Sequence, residues 1–299
     1  MGILVLNYGQ PEATFACIAG LLARESGTSR ILWIENPAGR PEPSLDASLA
    51  KAPFPFVRLD PGAGELPPPG TVGLMVNREN LGYGAGNNVG LRLLHRAGVP
   101  FAWILNNDTT LLEGDSGALL AQAAAEPRVA AWSTGVRQSD GPVQVCQALS
   151  PVDFSSAPQE AVGDLDGDRM RYLSGCSLFC RVDAAAEAGF IPEDYFLYYE
   201  DAAFCLELRA KGHGLGHCPG VVVGHAESLA TGKRSPLVEY YTRRNRWMLL
   251  QRYFPEQLER QRLRRYHTLQ KFLFRGRFDR LRIERRAYRD FLAGKTGRA

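Results

Sequence analysis

The chain predicts an α/β fold, with a mostly parallel central sheet flanked by helices and a basic helical extension at the C-terminus. Short β-prone apolar runs alternate with stretches of helical periodicity through the first hundred residues. That alternation is expected where parallel strands need helical crossovers. Each of those apolar runs also ends on a polar residue. Charge divides the chain: the net charge is +3, but residues 232–299 hold 20 Lys/Arg against 6 Asp/Glu, a balance of +14 that leaves −11 on residues 1–231.

The strands read from the sequence are Ile3–Asn7, Ile31–Glu35, Val72–Asn77 and Phe101–Asn106, with helices over Glu12–Arg24 and Ala85–Ala97. Open α/β sheets bind ligands outside the carboxyl ends of their strands, so Asn7, Glu35, Asn36, Asn77 and Asn106-Asn107-Asp108 are expected in one crevice. Arg40–Pro69, rich in proline and glycine, reads as a loop with at most a short helix or edge strand. After a loop-rich stretch near Ser150–Asp168, Met170–Arg181 is apolar enough for a strand entering the core. The run Phe190–Asp201 leads into a helix ending near Lys211, with Gly212 as its left-handed cap. Val221–Val223 reads as a further strand that delivers Gly224-His225. From Pro236 the pattern is helical and basic, with an apolar stripe of Tyr240, Trp247, Leu250, Tyr253 and Phe254.

Composition narrows the class. With 45% hydrophobic and 22% charged residues the chain is globular, neither disordered nor fibrous. No apolar run approaches the ~20 residues of a membrane span, and Met1–Asn7 reads as a buried strand rather than a signal peptide. Six cysteines without Cys-x-x-Cys spacing read as reduced core thiols of a cytosolic protein. A basic extension meets phosphate in nucleic acid or at an anionic membrane, or else packs on the acidic front half. Nucleic acid is the poorer reading, because residues 1–231 are acidic and contain no recognised nucleic-acid module.

Several residues have both a chemical and a purely structural reading. Asp108 follows a buried strand, where it serves as a turn residue or as one carboxylate on a divalent cation that also holds substrate phosphates. His225 is then a second metal ligand, or a histidine satisfied in the core. Glu200-Asp201 opens a helix as two capping acids, or supplies a carboxylate that takes a proton from an attacking hydroxyl. Tyr195, Phe196, Tyr198 and Tyr199 form a sugar-facing wall or belong at least half to the core. Gly82, Gly84 and Gly86 lack the G-x-G-x-x-G spacing and follow the third strand, which rejects a dinucleotide fingerprint but leaves a site where backbone approaches a nucleotide. His213, His217 and Cys218 are not spaced as a metal site.

Taken in order, Asn7-Tyr8, Glu35-Asn36, Asn80-Leu-Gly-Tyr-Gly-Ala-Gly-Asn87, Asn106-Asn-Asp108, Tyr198-Tyr-Glu-Asp201 and Gly224-His225 resemble family 2 glycosyltransferases of the A-type (GT-A) fold. The similarity is strongest to their rhamnosyltransferase-like branch, spans roughly residues 2–250, and includes Tyr240-Tyr-Thr-Arg-Arg-Asn-Arg-Trp247. It implies a catalytic domain over 1–231, with a nucleotide-sugar half (1–110) and an acceptor half (111–231), followed by the extension 232–299. Asp108 and His225 match the metal-binding pair, and Asp201 matches the catalytic base. Asn7, Tyr8, Glu35 and Asn36 fall where the family holds the nucleoside; Asn80, Gly82 and Gly86 line the donor cleft, with Asn107 beside Asp108. Tyr198, Tyr199 and Glu200 lie on the acceptor side. Asn106 replaces the first acid of the family's D-x-D, and Glu35 stands where Asp is usual.

The resemblance implies an inverting, metal-dependent transferase using Mg2+ or Mn2+ and a nucleoside-diphosphate sugar. dTDP-rhamnose is the first choice of donor, with UDP-hexoses or UDP-galactofuranose as rivals. The acceptor is a saccharide or lipid-linked saccharide of cell-surface polysaccharide or glycolipid synthesis. The expected location is cytoplasmic, peripheral on the inner face of the membrane. Homo-oligomerisation through the basic helices is the competing use of the extension, and a catalytically silent sugar-binding protein is the other functional reading.

Overall fold

The computed structural model describes residues 1–24, 29–38, 42–60, 62, 64–138, 141–152, 154, 156–159, 170–226 and 235–299. The 231/232 boundary expected from the sequence, and much of the loop expected near Ser150–Asp168, lie outside them.

The chain opens with β1 (Gly2–Tyr8), α1 (Pro11–Arg24), β2 (Arg30–Asn36), α2 (Glu42–Leu49), β3 (Phe56–Arg58) and β4 (Val72–Val76). It continues through α3 (Tyr83–Arg96), β5 (Phe101–Asn106), β6 (Thr109–Glu113), α4 (Ser116–Ala125) and β7 (Val129–Arg137). Next come β8 (Val143–Gln144), β9 (Cys146–Leu149), β10 (Ser156–Gln159), β11 (Met170–Tyr172), β12 (Ser177–Arg181) and α5 (Val182–Glu187). Helix α6 (Glu200–Ala210), strand β13 (Gly214–His225) and helices α7 (Pro236–Tyr253), α8 (Leu258–Phe274) and α9 (Phe278–Leu292) complete it.

Among the described residues, ten strands form one mixed sheet in the order β3-β4-β2-β1-β5-β12-β7-β13-β6, with β8 on β7. The first five strands of that order are parallel. The chain runs outward from β1 to β3 and β4, then returns to place β5 on the other side of β1, so the order reverses between β1 and β5. A crevice opens at such a reversal, beyond the carboxyl ends of the strands. Side chains alternate across the sheet as the twofold strand period requires: Ile3, Val5 and Trp33 pack with Ile18 and Leu21 of α1 on one face, while Leu4, Ile34 and Ile104 pack with Leu91 of α3 and Phe204 of α6 on the other. The four sequence strands are all present. The loop expected over Arg40–Pro69 contains the short helix and edge strand allowed for it.

Three elements depart from expectation. Met170–Arg181 is not one strand: it splits at 173–176 into β11, which joins a small antiparallel sheet with β9 and β10, and β12, which enters the main sheet. The turn falls at Ser174-Gly175-Cys176, where a Ser-Gly pair interrupts the apolar run. Val221–Val223 belongs to the C-terminal part of the much longer β13, whose glycines and Pro219 masked the pattern and whose register on β7 slips between Cys218 and Val222. Strand β7, buried along most of its length, has no polar alternation to mark it.

The extension is not detached from the rest. Leu249 of α7 packs with Ala202 and Ala203 of α6, Tyr241 stacks on Phe196 at 4.9 Å, and Phe291 of α9 packs with Trp247 and Leu250. Many of its arginines are neutralised locally: Arg243 and Arg265 reach Glu284, Arg280 reaches Glu239, and Arg252 reaches Glu207 of α6. Of these pairs only Arg252–Glu207 joins the extension to the acidic front half; the others use acids of the extension itself. All six cysteines are buried.

Candidate active site

The polar strand ends meet as the sheet order requires. In register, Asn7 lies beside Glu35, Tyr8 beside Asn36, and Leu6 beside Asn106. Asn7 donates to Glu35 Oε2 at 2.7 Å, and its own Oδ1 accepts from Asn107 Nδ2 at 2.9 Å and from the Gln10 backbone at 3.1 Å. Asn36 donates to Gly82 O at 2.9 Å and accepts from Asn77 at 2.8 Å. These side chains are buried, so each must find a partner. Burial pushes the Glu35 carboxyl up to about 7, against the opposing hydrogen bonds from Asn7 and Trp33. Tyr8 differs: its ring is exposed at the end of β1.

Asp108 and His225 come from distant parts of the sequence but meet because β13 runs antiparallel to β6, pairing His225 with Thr109. The Ala226 N–H closes the turn onto Asp108 O at 3.1 Å. His225 Nε2 then lies 3.2 Å from Asp108 Oδ1 and 3.3 Å from Asn106 Nδ2. A ring-nitrogen lone pair and a carboxylate oxygen this close repel unless a positive centre lies between them, either a proton or a metal ion. Two ligands at right angles on a cation with bonds of ~2.1 Å sit about 3 Å apart, so the pair fits adjacent positions on Mg2+ or Mn2+. Among the described residues no group of three or more His, Cys, Asp or Glu gathers around such a position. A cation held here would therefore fill its remaining positions from Asn106, water and substrate oxygens. Neither His213, paired with Glu187 at 3.1 Å, nor His217, bonded to Ser133 at 3.2 Å, joins it.

Asp201 is tied to the turn that splits β11 from β12, beside a second, small apolar cavity lined by Tyr83, Ile104 and Gly175. Its Oδ2 accepts from Gly175 N at 3.2 Å and its Oδ1 from Ala202 N at 2.8 Å. The turn is tied on its other side to β5, where Asn106 N donates to Cys176 O at 2.9 Å. Both Asp108 and Asp201 act on the Cys176 thiol, which burial pushes up to about 12. Ser174, Cys176 and His225 line one cavity of about 130 Å³, together with Ser133, Gln144 and Gln147. Thus His225 of the Asp108–His225 pair and Asp201 both adjoin a single turn. Burial raises Asp201 and Glu200 above the usual carboxylate range, Glu200 further because it also faces the Asp201 charge.

The aromatic run before Asp201 is divided between roles. Tyr195 and Phe196 are core, whereas Tyr198 and Tyr199 are half-buried and pack among apolar neighbours. Phe196, Tyr198 and Tyr199 all have left-handed backbone, with φ of 63°, 70° and 71°. Asn245 of α7 holds this segment, its amide donating to Tyr195 O (2.7 Å), Leu197 O (2.7 Å) and Tyr198 O (3.0 Å).

The Asn80–Gly86 run reaches the same segment. Gly82, at φ +85°, is held by Asn80 Oδ1, and a Cβ there would lie 2.3 Å from Phe196 O. Gly86 lets α3 press onto β1 and Asn36, so at both glycines the missing side chain is already accounted for by protein contacts. Asn77 lies in the crevice as expected of a polar strand end, whereas Gly175 and Asn245 carried no individual role in the sequence. A buried amide in an arginine-rich helix was the one available signal, and it pointed at no partner.

No protein-family profile and no curated protein sequence matches the chain. Solved structures do. GalNAc-T7 with UDP, GalNAc and Mn2+ has a TM-score of 0.55 at 12% identity, over 81% of this chain and 46% of that one. The mannosyltransferase PcManGT from Pyrobaculum calidifontis, in complex with GDP-Man and Mn2+, has a TM-score of 0.53 at 12% identity, over 98% of this chain and 74% of that one. The fold is that of the GT-A nucleotide-sugar transferases. At this identity the likeness is one of fold, and the chain spans less than half the length of GalNAc-T7.

Proposed function

We propose that the chain is an inverting glycosyltransferase that moves a sugar from a nucleoside-diphosphate donor to a hydroxyl acceptor. The observation that carries this reading is the Ser174–Cys176 turn, which lines a cavity with His225, the partner of Asp108, and whose Gly175 N–H holds Asp201. Asn7, Glu35 and Asn36 form the polar floor for the nucleoside, and the exposed Tyr8 ring is available to a base. Asp108 and His225 would hold a divalent cation, which supplies charge neutralisation to a departing diphosphate. Asp201 takes the acceptor proton as the hydroxyl attacks the anomeric carbon. Two backbone N–H groups keep its carboxylate aimed, while burial raises its proton affinity, as a general base requires. Glu200, more deeply buried than Asp201, is shielded from an acceptor.

One displacement with one base inverts the anomeric centre. Asp201→Asn should abolish transfer while leaving donor binding within about twofold, since it removes only the proton acceptor. Retained turnover would take Asp201 out of the role. GDP-Man and UDP with GalNAc are bound by the two structural relatives, and the sequence resemblance favours dTDP-rhamnose. Screening nucleotide sugars for released nucleoside diphosphate in the presence of Mn2+ decides among them.

A further inference from the structure

The charge of the extension is spatially sorted. Arg243, Arg265 and Arg280 sit in ion pairs at the seams between α7, α8 and α9, and Lys295 pairs with Asp290 at the end of α9. Arg260, Lys271, Arg275 and Arg277 are exposed on the outer part of α8 and on the turn to α9, and make no ion pair among the described residues. From residue 260 to 278 there are seven Lys/Arg and no Asp or Glu. The same surface exposes large apolar side chains: Phe274 is 86% exposed, Leu263 65% and Tyr266 62%, with Leu273 and Phe278 more than half exposed. Residues 263, 266, 270, 273 and 274 recur at helical spacing, so they form one stripe along α8 that continues over the turn to Phe278. The opposite side of α8 is anchored: Gln261 is fully buried and donates to Val152 O at 2.5 Å, and Arg264 donates to the same oxygen at 2.9 Å.

We propose that this tip, Lys271-Phe-Leu-Phe-Arg-Gly-Arg-Phe278 with Leu263 and Tyr266 behind it, docks the protein on an anionic phospholipid bilayer. Single apolar side chains interleaved with cations suit the headgroup boundary, where rings enter the acyl edge and guanidinium and ammonium groups meet lipid phosphate. A second copy of the chain is the poorer occupant. A twofold contact through this patch would set Lys271, Arg275 and Arg277 against the same residues of the other copy, with no acid in the stretch to answer them. No helix among the described residues is long and apolar enough to cross a membrane, so the contact lies in the interface. It also stands independently of transfer chemistry, because binding is read without a donor.

The test is co-sedimentation of the full chain at low salt with vesicles of phosphatidylcholine alone and of phosphatidylcholine mixed with phosphatidylglycerol. The wild-type chain should bind the anionic vesicles and leave them as salt rises. F274S/F278S and K271Q/R275Q/R277Q should each lower partitioning by roughly tenfold or more. All these positions are exposed, so melting temperature and nucleotide binding should be unchanged, which separates lost docking from lost folding. Equal binding to both vesicle types, or unchanged partitioning of both variants, overturns the proposal. So does a dimer in solution that F274S/F278S converts to monomer without any vesicle binding by the wild type.

Discussion

Replacing Asn245 tests how the candidate base is held. Three of the four residues Phe196–Tyr199 have left-handed backbone, a conformation disfavoured by ~1–2 kcal/mol for each residue bearing a side chain. Something must stabilise that segment against about 3–6 kcal/mol of local preference. Asn245 has two N–H bonds to share among three carbonyls, so one of its hydrogens is bifurcated. In Asn245→Leu the branched shape is kept at a larger volume, both donors are lost, and Arg244 Nε loses the Oδ1 that accepts from it at 3.0 Å. Tyr195 O retains Arg244 and the Leu197 N–H, but Leu197 O and Tyr198 O lose their side-chain donor. At ~1–3 kcal/mol for each buried unserved group, with the two carbonyls only partly shielded and Arg244 Nε left without its acceptor, the loss should be about 3–6 kcal/mol. That corresponds to a melting temperature lower by roughly 5–10 °C in a chain of this size.

Asp201 begins two residues beyond the segment, so its aim should loosen too. We expect kcat to fall roughly tenfold to a hundredfold with donor Kd unchanged, because a displacement near 1 Å at a reacting group has about that effect. Differential scanning calorimetry and single-turnover transfer assays read the two quantities. An Asn245→Leu protein that melts within about 1 °C of wild type, with unaltered kcat, would show that packing rather than hydrogen bonding shapes the loop.

Further predictions follow from the same geometry. Gly82→Ala should destabilise by more than ~2 kcal/mol, because the added methyl meets a backbone carbonyl and the residue is at φ +85°. Gly20→Ala, in open space within α1, should instead stabilise by roughly 0.5–1 kcal/mol, and urea unfolding of the two compares them directly. Glu35 binds its proton more tightly folded than unfolded, so its favourable contribution is complete below about 4.5 and is lost as pH rises through about 7. Glu35→Gln can keep the Asn7 and Trp33 bonds through one oxygen, so its melting temperature should match wild type at acid pH and exceed it above neutrality. Asn106→Asp adds a second carboxylate beside His225 and should tighten Mn2+ binding by roughly tenfold in calorimetric titration; unchanged affinity would place the cation elsewhere.

The sequence alone set out the parallel half of the sheet. Apolar runs buried on both faces, each closed by Asn, Glu or Asp, can only be strands whose ends face one crevice, and Asn7, Glu35, Asn36 and Asn107 are bonded to one another or to their neighbours there. Local pattern also placed the helix after Asp201 and its Gly212 cap, which takes the left-handed backbone expected of it. Tertiary structure decided what depends on contacts between distant segments. The break at Ser174–Cys176 is marked in the sequence only by the Ser174-Gly175 pair, which a short strand tolerates as readily as a turn until its two flanks join different sheets. The pairing of Asp108 with His225 depends on β13 running back along β6, a choice made by the whole sheet rather than by either segment. The partners of Asn245, nearly fifty residues away, exist only once α7 packs on the loop. Which arginines stay unpaired was likewise fixed by packing, since a count of charges does not say which of them the helices turn toward an acid.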